Sequence, residues 1–253
     1  MKLKITFITL LLSAACFSQQ IITDRPDQTE SSSTIPKGSL QIEMGIVAAS
    51  KENNTLNSFA GPSTLVRYGL TEKIELRFFN QYEAHKLELF DETSKVSGFS
   101  DFEIGAKVQL LKKEELSTKI AFLSHVIIPT AKDELSNNKM GTINKLSISH
   151  SLSDRLGLGY NVGYNYVGQI HSFTYSAALG FSFTDNFGGY IEPYGVYGEQ
   201  GFFESYFDAG LTYLLSDNFQ VDASYGLGLN NDLQFFSAGF SWNIPKLFGS
   251  KKI

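Results

Sequence analysis

Residues 100–110, reading Ser100-Asp101-Phe102-Glu103-Ile104-Gly105-Ala106-Lys107-Val108-Gln109-Leu110, constrain the fold more than any other part of the chain. Asp101, Glu103, Gly105, Lys107 and Gln109 alternate with Phe102, Ile104, Ala106, Val108 and Leu110. A period of two puts the two sets on opposite faces of a β-strand. One face is wholly apolar. The other carries three charges, which the core of a soluble sandwich could not bury cheaply. The stretch also exceeds the five or six residues or so of an ordinary globular strand. About ten residues, apolar on one side and polar on the other, is the pattern of a tilted transmembrane strand.

The start of the chain supports export. Lys2 and Lys4 precede the short apolar run Ile5–Leu12, and the small residues Ser13, Ala14 and Ala15 follow. This reads as a secretory signal of residues 1–19, too short to span a bilayer, cut near Ser18 or Gln19. Cys16 permits a lipoprotein reading, but the Leu expected before it lies one place too far upstream. Losing Lys2 and Lys4 from the 21 basic residues leaves 19 against 26 acidic ones, a net charge of −7. Such a surface has no basic patch for nucleic acid. The mature chain would keep no cysteine, which excludes disulfides and thiolate sites.

Alternation recurs along the remainder and predicts twelve strands, at about 39–49, 58–69, 74–85, 100–110, 117–128, 142–152, 156–167, 172–183, 187–197, 203–214, 219–229 and 234–244. Residues 86–98 read as a long charged loop. Ser153-Asp154-Arg155, Thr184-Asp185-Asn186 and Ser216-Asp217-Asn218 recur about every thirty residues, one hairpin with its loop. Asp and Asn suit tight turns because they bond their own backbone and tolerate left-handed conformations. Five tight turns alternate with six connections, several of them longer. That asymmetry belongs to an up-and-down outer-membrane barrel with both termini on the periplasmic side. Tyr68, Phe181, Phe183, Phe187, Tyr213, Phe219 and Trp242 fall near the short turns, as an interfacial girdle requires. A two-sheet sandwich also alternates, but its strands are shorter and its inward face is apolar. The predicted fold is therefore an all-β transmembrane antiparallel barrel over residues 38–244, with a basic tail at 245–253.

The polar faces supply the candidate functional residues. Glu43, Arg67, Glu75, Arg77, Asp101, Glu103 and Lys107 fall there on the first four predicted strands, and Asp208 and Asp222 on the tenth and eleventh. These nine are the predicted lumen-lining residues. Mixed charges on neighbouring strands can pair, so they either merely fill the lumen or constrict a narrow path. In the second case Arg67 and Arg77 would attract the anionic part of a solute, with Phe79 beside its apolar part. Residues 20–37 are polar, with Pro26 and Pro36 and no periodicity. This segment is either a flexible periplasmic leader, the simpler reading, or a piece tucked into the pore.

No catalytic residue, metal ligand set or cofactor motif emerges. The histidines are His85, His125, His150 and His171. Ser124 beside His125, and Ser149 and Ser151 beside His150, point to the opposite face of a strand and cannot form a nucleophile–base pair. Gly157-Leu158-Gly159 and Gly226-Leu227-Gly228 are strand glycines and not phosphate loops.

The chain resembles a family of bacterial outer-membrane transporters named for the meta-pathway of phenol degradation. The matching pieces include Gly38–Gly45, Arg67–Arg77, Gly98–Lys107, Ile128-Pro129-Thr130, Asp208–Leu215 and Asp217–Asp222, spanning about 38–242. One departure is the tail with Lys246, Lys251 and Lys252 after Trp242, where many barrels end on an aromatic residue. The resemblance implies a non-enzymatic porin-like channel for small solutes, hydrophobic or aromatic compounds among them. Its partners would be outer-membrane lipid, the solute and the outer-membrane assembly machinery, with no nucleic acid. The alternatives are a structural barrel with a filled lumen and an outer-membrane lipid hydrolase.

Overall fold

The computed structural model describes residues 21–51, 55–89, 92–112 and 117–246. The expected signal peptide with Cys16, and the tail from residue 247, lie outside the described residues. The strands are β1 (Leu40–Lys51), β2 (Leu56–Gly69), β3 (Ile74–Leu89), β4 (Glu92–Phe99), β5 (Phe102–Lys112), β6 (Thr118–Ile128) and β7 (Gly141–Ser153). They continue with β8 (Leu156–Val167), β9 (Ile170–Ser182), β10 (Phe187–Gly198), β11 (Phe203–Ser216), β12 (Phe219–Gly228) and β13 (Gln234–Ile244). No helix among the described residues is long and apolar enough to cross a membrane. Here strands cross it.

Neighbours in sequence pair antiparallel, and β13 returns to β1 from Leu40↔Ile244 to Ser50↔Gln234. This closes a barrel of twelve strands, with β4 outside the ring. Closure satisfies every edge, which strands in lipid require. The turns after β2, β7, β9 and β11 lie at one end with the start of β1, called here the turn end. The loop end is opposite.

The predicted loop at 86–98 is instead a hairpin. The first half of β3 pairs with β5, from Ile74↔Val108 to Phe79↔Glu103. Its second half pairs with β4, from Tyr82↔Phe99 to Leu89↔Glu92. The hairpin extends beyond β5 at the loop end, while its β3 half stays paired with β2 as far as Leu56↔Leu87. Its strand Glu92-Thr93-Ser94-Lys95 is exposed on both faces, so it needs no alternation, and alternation was the signal that identified the other strands.

Exposure is inverted relative to a water-soluble protein. Ile104, Phe122, Ile191, Leu211 and Phe236 are exposed on the outside, while Gln41, Glu43, Arg67, Glu75, Lys107 and Asp208 are fully buried inside. The outer face suits lipid, and the polar groups are turned to the lumen. At the turn end Phe183, Tyr213 and Trp242 are exposed. Phe183 packs against Phe181 and Phe187 at ring separations of 6.4 and 5.3 Å, and Phe219 stacks on Phe240 at 5.6 Å. They form the turn-end part of the aromatic girdle.

Candidate functional site

Residues 21–37 lie inside the barrel, so the simpler reading of a flexible leader does not hold. Ile21 N donates to Asp217 O at the turn end, over 3.1 Å. The segment runs up into the lumen, crosses it and returns, so that Thr34 Oγ1 meets Glu72 O at 3.4 Å and Gly38 N donates to Gly69 O at 2.7 Å. Nothing in its sequence is periodic. Its order comes from matching the polar walls around it.

One wall is basic. Arg67 on β2, Arg77 on β3 and Lys107 on β5 face inward there. Arg67 Nη1 lies 2.7 Å from Glu43 Oε1, and its Nε lies 2.7 Å from Glu75 Oε1. The segment adds Asp24, whose carboxylate takes Lys107 Nζ at 2.8 and 2.9 Å and Arg77 Nη1 at 2.5 Å. Glu30 accepts from Arg77 Nη2 at 2.9 Å. Buried charges of this kind persist only when paired, because each is costly to take out of water.

The opposite wall is acidic. Glu192 on β10 and Asp208 on β11 stand directly opposite each other in register. Like charges so placed repel. The segment answers with donors: Gln28 N reaches Glu192 Oε2 at 2.6 Å, and the Thr29 hydroxyl donates to Glu192 Oε1. Asp222 on β12 takes Arg25 Nη2 at 2.9 Å. The segment thus presents Asp24 and Glu30 to the basic side, and Arg25 and polar donors, together with the Asp27 carboxyl, to the acidic side. Further on, Ser32 Oγ lies 2.5 Å from Ser149 Oγ, and Ile35 N donates to Glu75 Oε2 at 2.9 Å.

Of the nine residues picked from the sequence, Glu43, Arg67, Glu75, Arg77 and Lys107 share the basic layer, and Asp208 and Asp222 lie on the acidic wall. Glu103 sits higher, beside His125. Arg77 Nε donates to His125 Nε2 at 3.0 Å, which leaves the proton on Nδ1 to donate to Glu103 at 2.8 Å. Asp101 is the exception, and its assignment to the lumen is corrected. It precedes β5 and accepts from Thr130 N, Ala131 N and the Ser136 hydroxyl at 3.0, 3.0 and 2.9 Å. Alternation carried one residue too far, past the point where the strand ends and a loop must be held.

The structure also adds residues not picked from sequence. Gln41, Gln109 and Glu192 are buried in the lumen, and Lys145 contacts Glu30 at 3.8 Å. Glu192 carried a signal, since it alternates inward with Tyr190 and Tyr194 on its strand. The expectation that Arg67 and Arg77 bind a solute anion fails on geometry, because both are already occupied by carboxylates.

The histidines bond Glu83 (His85), Glu103 and Arg77 (His125), Thr118 and Tyr160 (His150), and Tyr164 (His171). Among the described residues none meets a serine hydroxyl; the hydroxyls they meet belong to Thr118, Tyr160 and Tyr164.

The segment does not fill the lumen. Toward the turn end it leaves cavities of about 380 and 300 Å³, and toward the loop end cavities of about 260 and 300 Å³.

Residues 23–244 match the family model described as "Putative MetA-pathway of phenol degradation". No curated protein matches the chain. Among solved structures, the chain is similar to an outer membrane channel from Pseudomonas putida F1, with 11% identity and a TM-score of 0.66, over 85% of this chain and 98% of that one. It is similar also to the KdgM porin in complex with disordered oligogalacturonate, at 10% identity and a TM-score of 0.52, over 80% and 98%. The NanC porin gives 8% identity and a TM-score of 0.52, over 79% and 98%. At such identities the likeness is one of fold.

Proposed function

The chain belongs to this phenol-degradation family, and we propose that it is an outer-membrane channel for small solutes, narrowed by its own N-terminal segment. The observation that carries this reading is the way the lumen is occupied. Eight strands leave an interior that side chains can fill, and sixteen to eighteen leave an open channel. Twelve leave more room than side chains close. Here a strand-free segment takes up the difference through polar contacts, with cavities on both sides of it. The family's description favours aromatic compounds among the solutes. The leader at 1–19 would export the chain, and the lipid-facing belt of residues 38–244 would seat it in the outer membrane after insertion by the assembly machinery. No catalytic role is assigned.

A second reading, a structural barrel with a filled lumen, is favoured by one observation: Arg67 and Arg77 are saturated by carboxylates. Planar-bilayer recordings of the refolded protein separate the two. Small but resolved unitary currents, and entry of phenol into proteoliposomes faster than into protein-free ones, support the channel. A barrel that inserts with neither effect is structural.

A further inference from the structure

Toward the loop end, a cavity of about 300 Å³ is lined by Ile143, Lys145, Tyr194, Val196 and Tyr206, and by no carboxylate. The neighbouring cavity of about 260 Å³ shares Ile143 and Lys145, so Lys145 stands where the two meet. It differs from the other cations of the lumen. Arg67, Arg77 and Lys107 each have a carboxylate oxygen within 2.9 Å and side chains at most 1% exposed. Lys145 is 22% exposed, and the carboxylate it faces, Glu30, is 3.8 Å away and already bonded to Arg77. Its charge therefore has capacity for a further partner.

The opposite side of the same cavity is aromatic. Tyr194 and Tyr206 stack with ring centroids 5.0 Å apart and planes 20° from parallel. The Tyr206 hydroxyl donates to Glu204. Stacked rings offer an apolar face on which another ring gains both area and a favourable offset geometry. A volume at the lower end of small-molecule sites, roughly 300–1,000 Å³, suits one ring with a short substituent. Glu30 and Glu103 line the adjoining cavity, which disfavours a second negative charge on the ligand.

We propose that this half of the lumen is a binding site for a small aromatic monocarboxylate, with its carboxylate on Lys145 and its ring on the Tyr194–Tyr206 pair. The assignment rests on the channel reading and names the solute class that the path selects.

The test uses the full barrel in detergent and three ligands of one ring size: benzoate, phenol and benzylamine, which near neutral pH carry negative, zero and positive charge. Titration calorimetry should give the tightest binding for benzoate. Lys145→Met should weaken benzoate about tenfold, the scale of one charge-assisted contact, and leave phenol nearly unchanged. Lys145→Arg should retain binding, and Tyr194→Leu should weaken benzoate and phenol alike. Slower migration after heating in detergent gels verifies that each variant is folded, and the tyrosine variant serves if Lys145→Met does not assemble. Phenol or benzylamine binding as tightly as benzoate overturns the proposal, as does a folded Lys145→Met with unchanged affinity. Because binding is read at equilibrium, its failure is distinct from a failure to conduct.

Discussion

Arg67 and Arg77 stand directly opposite each other on β2 and β3, two buried cations in register. Their repulsion is resolved by carboxylates from two sources. Glu75 Oε1, from the barrel wall, lies 2.7 Å from Arg67 and 2.9 Å from Arg77. Asp24 Oδ2, from the N-terminal segment, lies 3.4 Å from Arg67 and 2.5 Å from Arg77. The wall of the barrel is thus electrostatically incomplete without the segment that crosses it.

Asp24→Asn should release the segment. The change leaves Arg67, Arg77 and Lys107 one carboxylate short, and an uncompensated buried charge costs about 3–5 kcal/mol. The remaining contacts are the Glu30–Arg77 and Arg25–Asp222 pairs and hydrogen bonds worth about 1 kcal/mol each, and the segment can leave while the barrel stays closed. Water then reaches the arginines. The urea midpoint of the barrel should move little, while conductance rises and the segment becomes open to protease. A variant with the segment still protected and conductance unchanged contradicts this.

Gly45 and Gly239 form the slot in which the Arg25 guanidinium lies. A Cβ on Gly45 would sit 2.3 Å from Arg25 Cζ, whereas one on Gly239 would sit 2.5 Å from Arg25 Nη2 and 2.3 Å from the backbone oxygen of Met44, which cannot give way. Arg25 is the end of a flexible side chain, so it can move where a strand cannot. The single variant Gly45→Ala, whose added Cβ meets only the Arg25 side chain, should assemble normally, lose the Arg25–Asp222 contact and conduct more. Wild-type conductance in folded Gly45→Ala would mean that the slot does not hold Arg25.

Ile104 points to lipid and Glu103 to the lumen. Ile104→Arg puts a charge on the lipid face and should cost about 2–4 kcal/mol. Glu103→Gln should be tolerated far better, because it stays polar beside a polar cavity and keeps an acceptor for His125. Urea unfolding of both variants in lipid vesicles measures the difference, and equal losses would refute the facing.

How much of this was legible in the sequence follows from periodicity. Strands such as β5, with Ile104 and Lys107 on opposite faces, declare themselves because lipid and lumen demand opposite chemistry at alternate positions. Where only one environment acts, the signal fails. β4 is exposed on both sides. Asp101 continues the alternation in sequence, yet bonds loop amides. The segment holding Asp24, Arg25 and Glu30 has no period at all. Its placement depends on charges some fifty to two hundred residues away, such as Arg77 and Asp222, and becomes readable only once the barrel has arranged them. For the same reason Arg67 and Arg77 could be placed on the lumen wall from sequence, but their saturation could not be foreseen.

The most direct measurement is single-channel conductance of the refolded barrel lacking residues 21–37, recorded beside the intact chain. If the segment narrows the path, its removal should raise unitary conductance several-fold while gel mobility still reports a closed barrel, since twelve strands enclose more space than side chains fill. Equal conductance from two folded barrels would show that the segment does not control the path, and would contradict the account.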